Sequence, residues 1–380
     1  MLNNRFFATL FKTLILPLLS VPSLAFAEYG LNLPKGVTPI SRDIYGLHMT
    51  IFWVCVGIAV IVFGIMIYSM IYHRKSRGAV AANFHESTTV ELIWTAVPLA
   101  ILIAIAVPAT KVLIDLENTE KADMTVKITG YQWKWQYEYI DNGVSFFSNL
   151  SKKSREGIKN AAIRNTDEYY LQDVDNRLVL PVNTRIRFLM TSNDVIHSWW
   201  VRELGVKQDA NPGFINDSWA YIEEEGVYRG KCTELCGKDH GFMPVVVEVV
   251  SKENYAKWVQ EQQALMAAAA ASGNREWSMD ELMTRGKEVY NTNCAACHGV
   301  TGAGIPGAFP AMAGSEMTTQ PEKLAAHIDI IINGKSGTAM QAFGKQLSDS
   351  DIAAVVTYER NAFGNNTGDI TQPAQIKSAR

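Results

Sequence analysis

The chain has 380 residues, 48% of them hydrophobic, and a formal net charge of −3. That length suggests two or three domains, and the near-neutral balance gives no basis for a nucleic-acid partner. The apolar residues crowd into the first third, so the average conceals a membrane-type segment followed by ordinary soluble composition.

At the N-terminus, Arg5 and Lys12 precede the apolar run 14–19, and Ala25-Phe26-Ala27 offers an A-x-A cleavage site. This predicts a signal peptide over 1–27, with an uncleaved anchor as the alternative. Export would put the cysteines on the oxidising side of a membrane. Two apolar runs follow, 47–72 and 90–114, each longer than the ~20 residues a spanning helix needs. They predict a transmembrane hairpin over 28–115, and Pro98 and Pro108 in the second run are tolerated in such helices. The connecting loop carries His73, Arg74, Lys75 and Arg77, which makes it cytoplasmic and puts everything after about residue 115 outside.

Alternating β-branched and aromatic residues in "MTVKITGYQWKWQYEYI" (124–140) read as strands, and "RLVLP", "TRIRFLMTS", "SWAYIEEEGVYRGKC" and "PVVVEVVS" continue the pattern. Short strands in series predict an antiparallel sandwich or barrel over 116–255, with the polar stretch 141–168 as an inserted surface loop. The segment 253–271 has helical propensity, and a linker is expected over 256–276. In 277–365, "SMDELMTRGKEVYNTN", "QPEKLAAHIDIIING" and "SDSDIAAVVTYERNAF" each open on a helix-start signal, which predicts a small α-helical domain followed by a tail at 366–380.

Of the five cysteines, Cys55 falls in the first span and reads as a packing residue. "CAACH" (294–298) is the attachment signature of c-type haem, with Cys294 and Cys297 forming thioethers and His298 placed as proximal ligand. The sixth ligand of such a haem is commonly Met, which raises the potential. Met340, in the Gly-flanked "GTAMQAFG", is the preferred candidate because a loop can carry its sulfur across the haem face. Met312, in "FPAMAG", is the runner-up, Met317 is a third candidate, and any of them could instead pack on the porphyrin.

The segment "CTELCGKDHGFM" (232–243) has the spacing C-x3-C-x3-H-x2-M. Zinc rarely takes a thioether. A blue-copper site uses one Cys, two His and a weak Met, and His197 in "NDVIHSWW" offers the second imidazole. The additional cysteine suggests two coppers bridged by both sulfurs. Each copper would keep one His, with Met243 and a backbone carbonyl as weak outer ligands. A disulfide beside a solvated histidine is the competing reading.

Together these motifs resemble subunit II of haem–copper cytochrome c oxidases, in the form whose C-terminus carries a fused cytochrome c domain. The resemblance covers essentially the whole mature chain. It implies a two-helix transmembrane hairpin, an all-β cupredoxin-like domain and an all-α class I cytochrome c domain. It also implies a dinuclear copper A centre held by His197, Cys232, the backbone carbonyl of Glu234, Cys236, His240 and Met243, with the Glu234 carboxylate helping to bind magnesium at the subunit I interface. Glu91, in "TVELIWT", matches the entrance of a proton-uptake path, the plain alternative being a helix-end carboxylate. Trp133, in "YQWKWQYEY", matches the electron entry point, and Trp135 reads as structural. The implied partners are the lipid bilayer, oxidase subunits I and III, and a soluble or membrane cytochrome c donor. The implied place is a bacterial-type inner membrane, with the copper and haem domains on the periplasmic side. Oxygen would be reduced in subunit I, since seven histidines here do not supply that chemistry. Arg202 stands where many members have Pro, and the 141–168 loop is longer than in minimal members. The run Glu223 to Glu225 could attract a basic donor or form a solvated turn. Two alternatives stay open at this point: the small subunit of a copper A-containing nitric oxide reductase, and a membrane-anchored copper-binding or delivery protein.

Overall fold

The structure, a computed structural model, describes residues 32–81, 83, 85–272 and 275–380. The expected signal peptide at 1–27 lies outside the described residues. Two long helices come first: α1 (Pro39–Tyr72, 34 residues) and α2 (Thr88–Glu117, 30 residues), both apolar enough to cross a membrane. At 1.5 Å per residue they measure ~51 and ~45 Å, against a hydrocarbon core of ~30 Å. Each therefore extends beyond the apolar run that marks it in the sequence. Pro98 and Pro108 sit inside α2, and Cys55 is exposed on α1 rather than packed.

The protruding ends fasten the hairpin to the next domain. Thr38 caps α1 in a capping box with Ser41, Pro39 takes the first helical position, and the Thr38 hydroxyl also donates to the Leu204 carbonyl at 2.9 Å. Arg42 forms an ion pair with Glu223, so that member of the acidic run is already partnered. At the end of α2, Trp219 Nε1 donates to the Asp115 carbonyl at 3.1 Å and Arg185 Nη2 to the Asn118 carbonyl at 2.6 Å.

Ten strands then form a two-layer sandwich. One sheet has the order β3 (Ser145–Ser148), β2 (Lys134–Tyr139), β1 (Met124–Tyr131), β5 (Arg185–Ser192), β8 (Asn216–Tyr221). The other runs β4 (Leu178–Pro181), β10 (Pro244–Val250), β9 (Gly226–Cys232), β6 (His197–Val201), β7 (Val206–Ala210). Burial alternates along β5, with Ile186, Phe188 and Met190 facing inward and Arg187 paired outward with Asp217. The expectation of antiparallel sheets holds only in part, because β1 pairs β5 and β10 pairs β4 in parallel. The chain passes from one layer to the other at β4, and on its return β5 lies beside β1 in the same direction. The stretch 141–168, expected as a loop, folds into β3 and two short helices, α3 (Lys152–Lys159) and α4 (Ala161–Arg164).

The expected linker 256–276 is largely helix, since α5 spans Lys252–Ser272. Its alanine-rich sequence favours helix, and Tyr255, Trp258 and Val259 pack on the sandwich core, Trp258 lying 5.2 Å from the Tyr139 ring. The C-terminal domain comprises α6 (Met279–Asn293), α7 (Ala295–His298), α8 (Glu316–Thr319), α9 (Leu324–Asn333), α10 (Asp349–Asn361) and α11 (Pro373–Ala379). Ser278 and Glu281 form a capping box on α6, and Ser348 caps α10. The stretch 366–380, expected as a tail, belongs to this domain: Ile376 is fully buried, and Asp369 pairs with buried Arg360.

The helical domain rests on the β1–β2 end of the sandwich. Lys134 Nζ donates to Asn293 Oδ1 at 2.8 Å and lies between the rings of Phe147 and Phe343. Lys238 Nζ donates to the Ala296 carbonyl at 2.7 Å, and Gln341 Nε2 to the Gln132 carbonyl at 3.1 Å. Burial pulls the Lys134 amine from its ordinary 10.5 down to about 8. Between those values the docked state has released a proton that a solvated amine keeps, so docking strengthens as pH rises through that window. Thermal melts of the C-terminal domain from pH 8 to 10 are expected to show rising stability. In Lys134→Met the rise is expected to flatten.

Candidate metal centre

The candidate site lies where β6, β9 and the loop after β9 meet. Cys232 ends β9, Cys236 follows in the loop, His240 opens a 3₁₀ turn (His240–Phe242), and Met243 leads into β10. His197 begins β6 and comes in from the side. His197, Cys232, Cys236 and Met243 are buried, and the donor atoms of His197, Cys232 and Cys236 lie within 4.8 Å of one another.

The two sulfurs stand 3.8 Å apart and both thiols are free. A disulfide requires ~2.05 Å, so that reading fails. Two thiolates at this spacing can share an ion, because each metal–sulfur bond is ~2.3 Å for a metal such as zinc. Cys232 Sγ faces His197 Nδ1 at 3.9 Å and the Glu234 carbonyl at 3.4 Å. Cys236 Sγ faces His240 Nδ1 at 3.5 Å and Met243 Sδ at 3.6 Å. Each sulfur thus has one imidazole and one weak donor beside it, a soft to borderline set that suits copper. The thiol contact pulls Cys232 well below the usual thiol range and pushes Cys236 up, so one thiolate forms far more readily than its neighbour.

Residues behind the donors fix their aim. Asp194 Oδ1 accepts from His197 Nε2 at 2.9 Å, which leaves Nδ1 turned to the sulfurs. Burial opposes charge on His197, but the bonds to Asp194 and Cys232 outweigh it and raise its pKa. Gly130 makes room for this ring, since a Cβ there would sit 2.7 Å from His197 Cδ2. Gly237, at φ +109°, takes a conformation that side chains rarely adopt and lies against Gln132 and Trp133. Trp135 is fully buried, with its ring edge-on to His197, and its Nε1 donates to the Met243 carbonyl at 3.3 Å.

Trp133 occupies the two-residue turn between β1 and β2, and its Nε1 donates to the Cys236 carbonyl at 3.0 Å. The Glu234 side chain is exposed, so only its carbonyl joins the cluster. Glu91 is exposed on the first turn of α2, some 36 Å along that helix from the end attached to the sandwich. In the helical domain, His298 Nδ1 donates to the Pro310 carbonyl at 2.8 Å, which fixes the tautomer with Nε2 as the free donor atom. Burial pushes the Cys294 and Cys297 thiols up, and Glu359 adds to the effect at Cys294. Met340 and Met312 both border the core of this domain, so packing does not choose between them. Spacing did not reveal Asp194, Gly130, Gln132 or the buried His327–Glu359 pair (2.8 Å). Only the acid three places before the histidine in "NDVIH" offers a weak signal.

A membrane hairpin, a sandwich with a soft-donor cluster and a cysteine-bearing helical domain define a membrane-anchored metalloprotein with two extramembrane domains. The chain belongs to the cytochrome c oxidase subunit II family. Residues 27–112 match the transmembrane domain of cytochrome c oxidase subunit II, and 124–250 match its periplasmic domain. Residues 281–358 match cytochrome c oxidase, cbb3-type, subunit III, so the chain carries a cytochrome c domain at its C-terminal end. A probable cytochrome c oxidase subunit 2 of Rickettsia bellii (strain RML369-C) is 40% identical over 231 residues, covering 60% of this chain and 83% of the relative. The cytochrome c oxidase subunit 2 of Arabidopsis thaliana is 37% identical over 246 residues, covering 63% and 92%. That of Cereibacter sphaeroides is 37% identical over 243 residues, covering 61% and 80%. These families imply copper in the periplasmic domain and haem in the helical one, together with partner oxidase subunits.

Asp194→Asn keeps the side chain's shape but weakens its hold on the His197 ring. Copper affinity of the purified protein, measured by chelator competition, is expected to fall about 10–100-fold, the usual cost of losing an outer partner of a ligand.

Proposed function

We propose that this chain is the electron-input subunit of a proton-pumping terminal oxidase. Electrons from a cytochrome c donor enter the C-terminal domain and pass through the sandwich to subunit I, where oxygen is reduced to water. The observation that carries this reading is the pair of separate thiols 3.8 Å apart, each facing an imidazole, in a chain of this family. Bound there, a dinuclear copper A centre supplies a one-electron relay with little change in bonding.

The residues have distinct tasks in this reading. Cys232 and Cys236 would hold the coppers through their thiolates, with His197 and His240 as the imidazole donors. Met243 and the Glu234 carbonyl would add weak donors. Asp194 orients His197, and the buried walls exclude water. The exposed Glu234 carboxylate helps to bind magnesium against subunit I. In the helical domain Cys294 and Cys297 would hold haem c through thioethers, His298 would ligate its iron through Nε2, and Met340 would supply a further ligand, with Met312 second in line. Trp133, bonded to the Cys236 carbonyl, is an electron entry point. Glu91, at the far end of α2, stands at the entrance of a proton path in subunit I. Subunit III and the bilayer complete the surroundings, with both extramembrane domains in the periplasm of a bacterial-type inner membrane.

The purified complex is expected to show a near-infrared copper band and a mixed-valence electron-resonance signal. A mononuclear copper signal would rule out the dinuclear site. Met340→Ala is expected to abolish the low-spin, Met-ligated haem spectrum, and survival of that spectrum would transfer the role to Met312 or another ligand.

A further inference from the structure

The turn between β1 and β2 joins the two candidate redox centres through one residue. The Gln132 side-chain amide donates to the Cys236 carbonyl at 2.9 Å. Its backbone N–H donates to Asp194 Oδ2 at 2.7 Å, and Asp194 holds His197. Its backbone carbonyl accepts from Gln341 Nε2 at 3.1 Å. Gln341 is the neighbour of Met340, so the loop assigned to the haem and the loop assigned to the copper meet on Gln132.

We propose that Gln341 and Gln132 form a positioning bridge that registers the haem loop on the copper ligands and provides the path for the electron between them. This rests on the functional reading above. From the backbone of Met340 to that of Cys236 the path crosses two hydrogen bonds and otherwise follows covalent bonds of Gln341 and Gln132. Trp133 reaches the same Cys236 carbonyl through its indole, so the two routes converge there. In the transfer one electron leaves ferrous haem, which becomes ferric, and enters the copper pair. No bond forms or breaks, no proton moves, and no further reactant is required.

Two other polar contacts also join the domains. Lys238, exposed on the rim, reaches the Ala296 carbonyl through a saturated side chain. Lys134 binds Asn293 between two phenylalanine rings. Both fasten the domain; because Lys238 stands between Cys236 and His240 and bonds the carbonyl that precedes Cys297, its contact is the competing route that the control must exclude.

The test uses the assembled oxidase with Gln341→Glu, which keeps the shape of the side chain but removes its donor, alongside Gln341→Ala and the control Lys238→Met. Two quantities are read: the rate of copper reduction after rapid reduction of haem c, and amide exchange over 131–135 and 338–344. Both Gln341 variants are expected to slow transfer about tenfold or more, as a small misplacement of reacting partners does. Exchange should quicken at both loops, the haem and copper spectra should be unchanged, and Lys238→Met should keep the wild-type rate. Wild-type rate and exchange in both Gln341 variants would overturn the bridge, as would equal slowing in Lys238→Met. Absence of haem c or dinuclear copper from the wild-type complex would instead overturn the functional reading, and the bridge with it.

Discussion

The spacing of Cys232 and Cys236 is the constraint on which the other features depend. At 3.8 Å the sulfurs are too far apart to be a disulfide, and close enough to share ions. A three-residue loop alone would not hold that distance. The strand end at Cys232, the positive φ of Gly237 and the bonds from Gln132 and Trp133 to the Cys236 carbonyl fix the backbone on either side. The sandwich core then packs around the result, with Trp135 behind the histidine and Met243 closing the far side.

The same turn that braces the cysteines also receives the C-terminal domain. Asp194 is the pivot, since one oxygen serves His197 and the other the Gln132 backbone. Burying an amine such as Lys134 is costly unless it finds a partner. Its bond to Asn293 and the two aromatic faces around it therefore mark a built contact rather than a chance approach.

Much of this was legible in the sequence because the features concerned are local. Apolar runs mark spans, alternation marks strands, and helix-start signals mark the helices of the C-terminal domain whatever the tertiary fold. The cluster at 232–243 was legible for the same reason, since its donors sit a few residues apart. The misses are relations between distant segments. No local pattern shows that β5 returns parallel to β1. The turn at Gln132 and Trp133 lacks the Gly, Asn or Asp that usually signals a hairpin, so its position could not be read. The helix over 253–271 was legible from its alanine-rich sequence, but its packing was not, because such a helix resembles a spacer until its aromatic residues find a surface, as Tyr255 and Trp258 do. The role of Gly130 depends on a ring that is 67 positions away in the chain.

The capped start of α1 bears on how the hairpin carries the sandwich. The helix begins at Pro39, eight residues before the apolar run, and its cap is bonded to the sandwich. That stretch is a rigid pillar of ~12 Å, and the end of α2 gives a second point of attachment. Two supports fix both the height and the bearing of the sandwich on the hairpin. One residue inserted into the pillar would shift its phase by ~1.5 Å and about 100°, and the sandwich could keep only one of its two attachments. The length of this short segment thus sets where the sandwich stands relative to the apolar run of the helix.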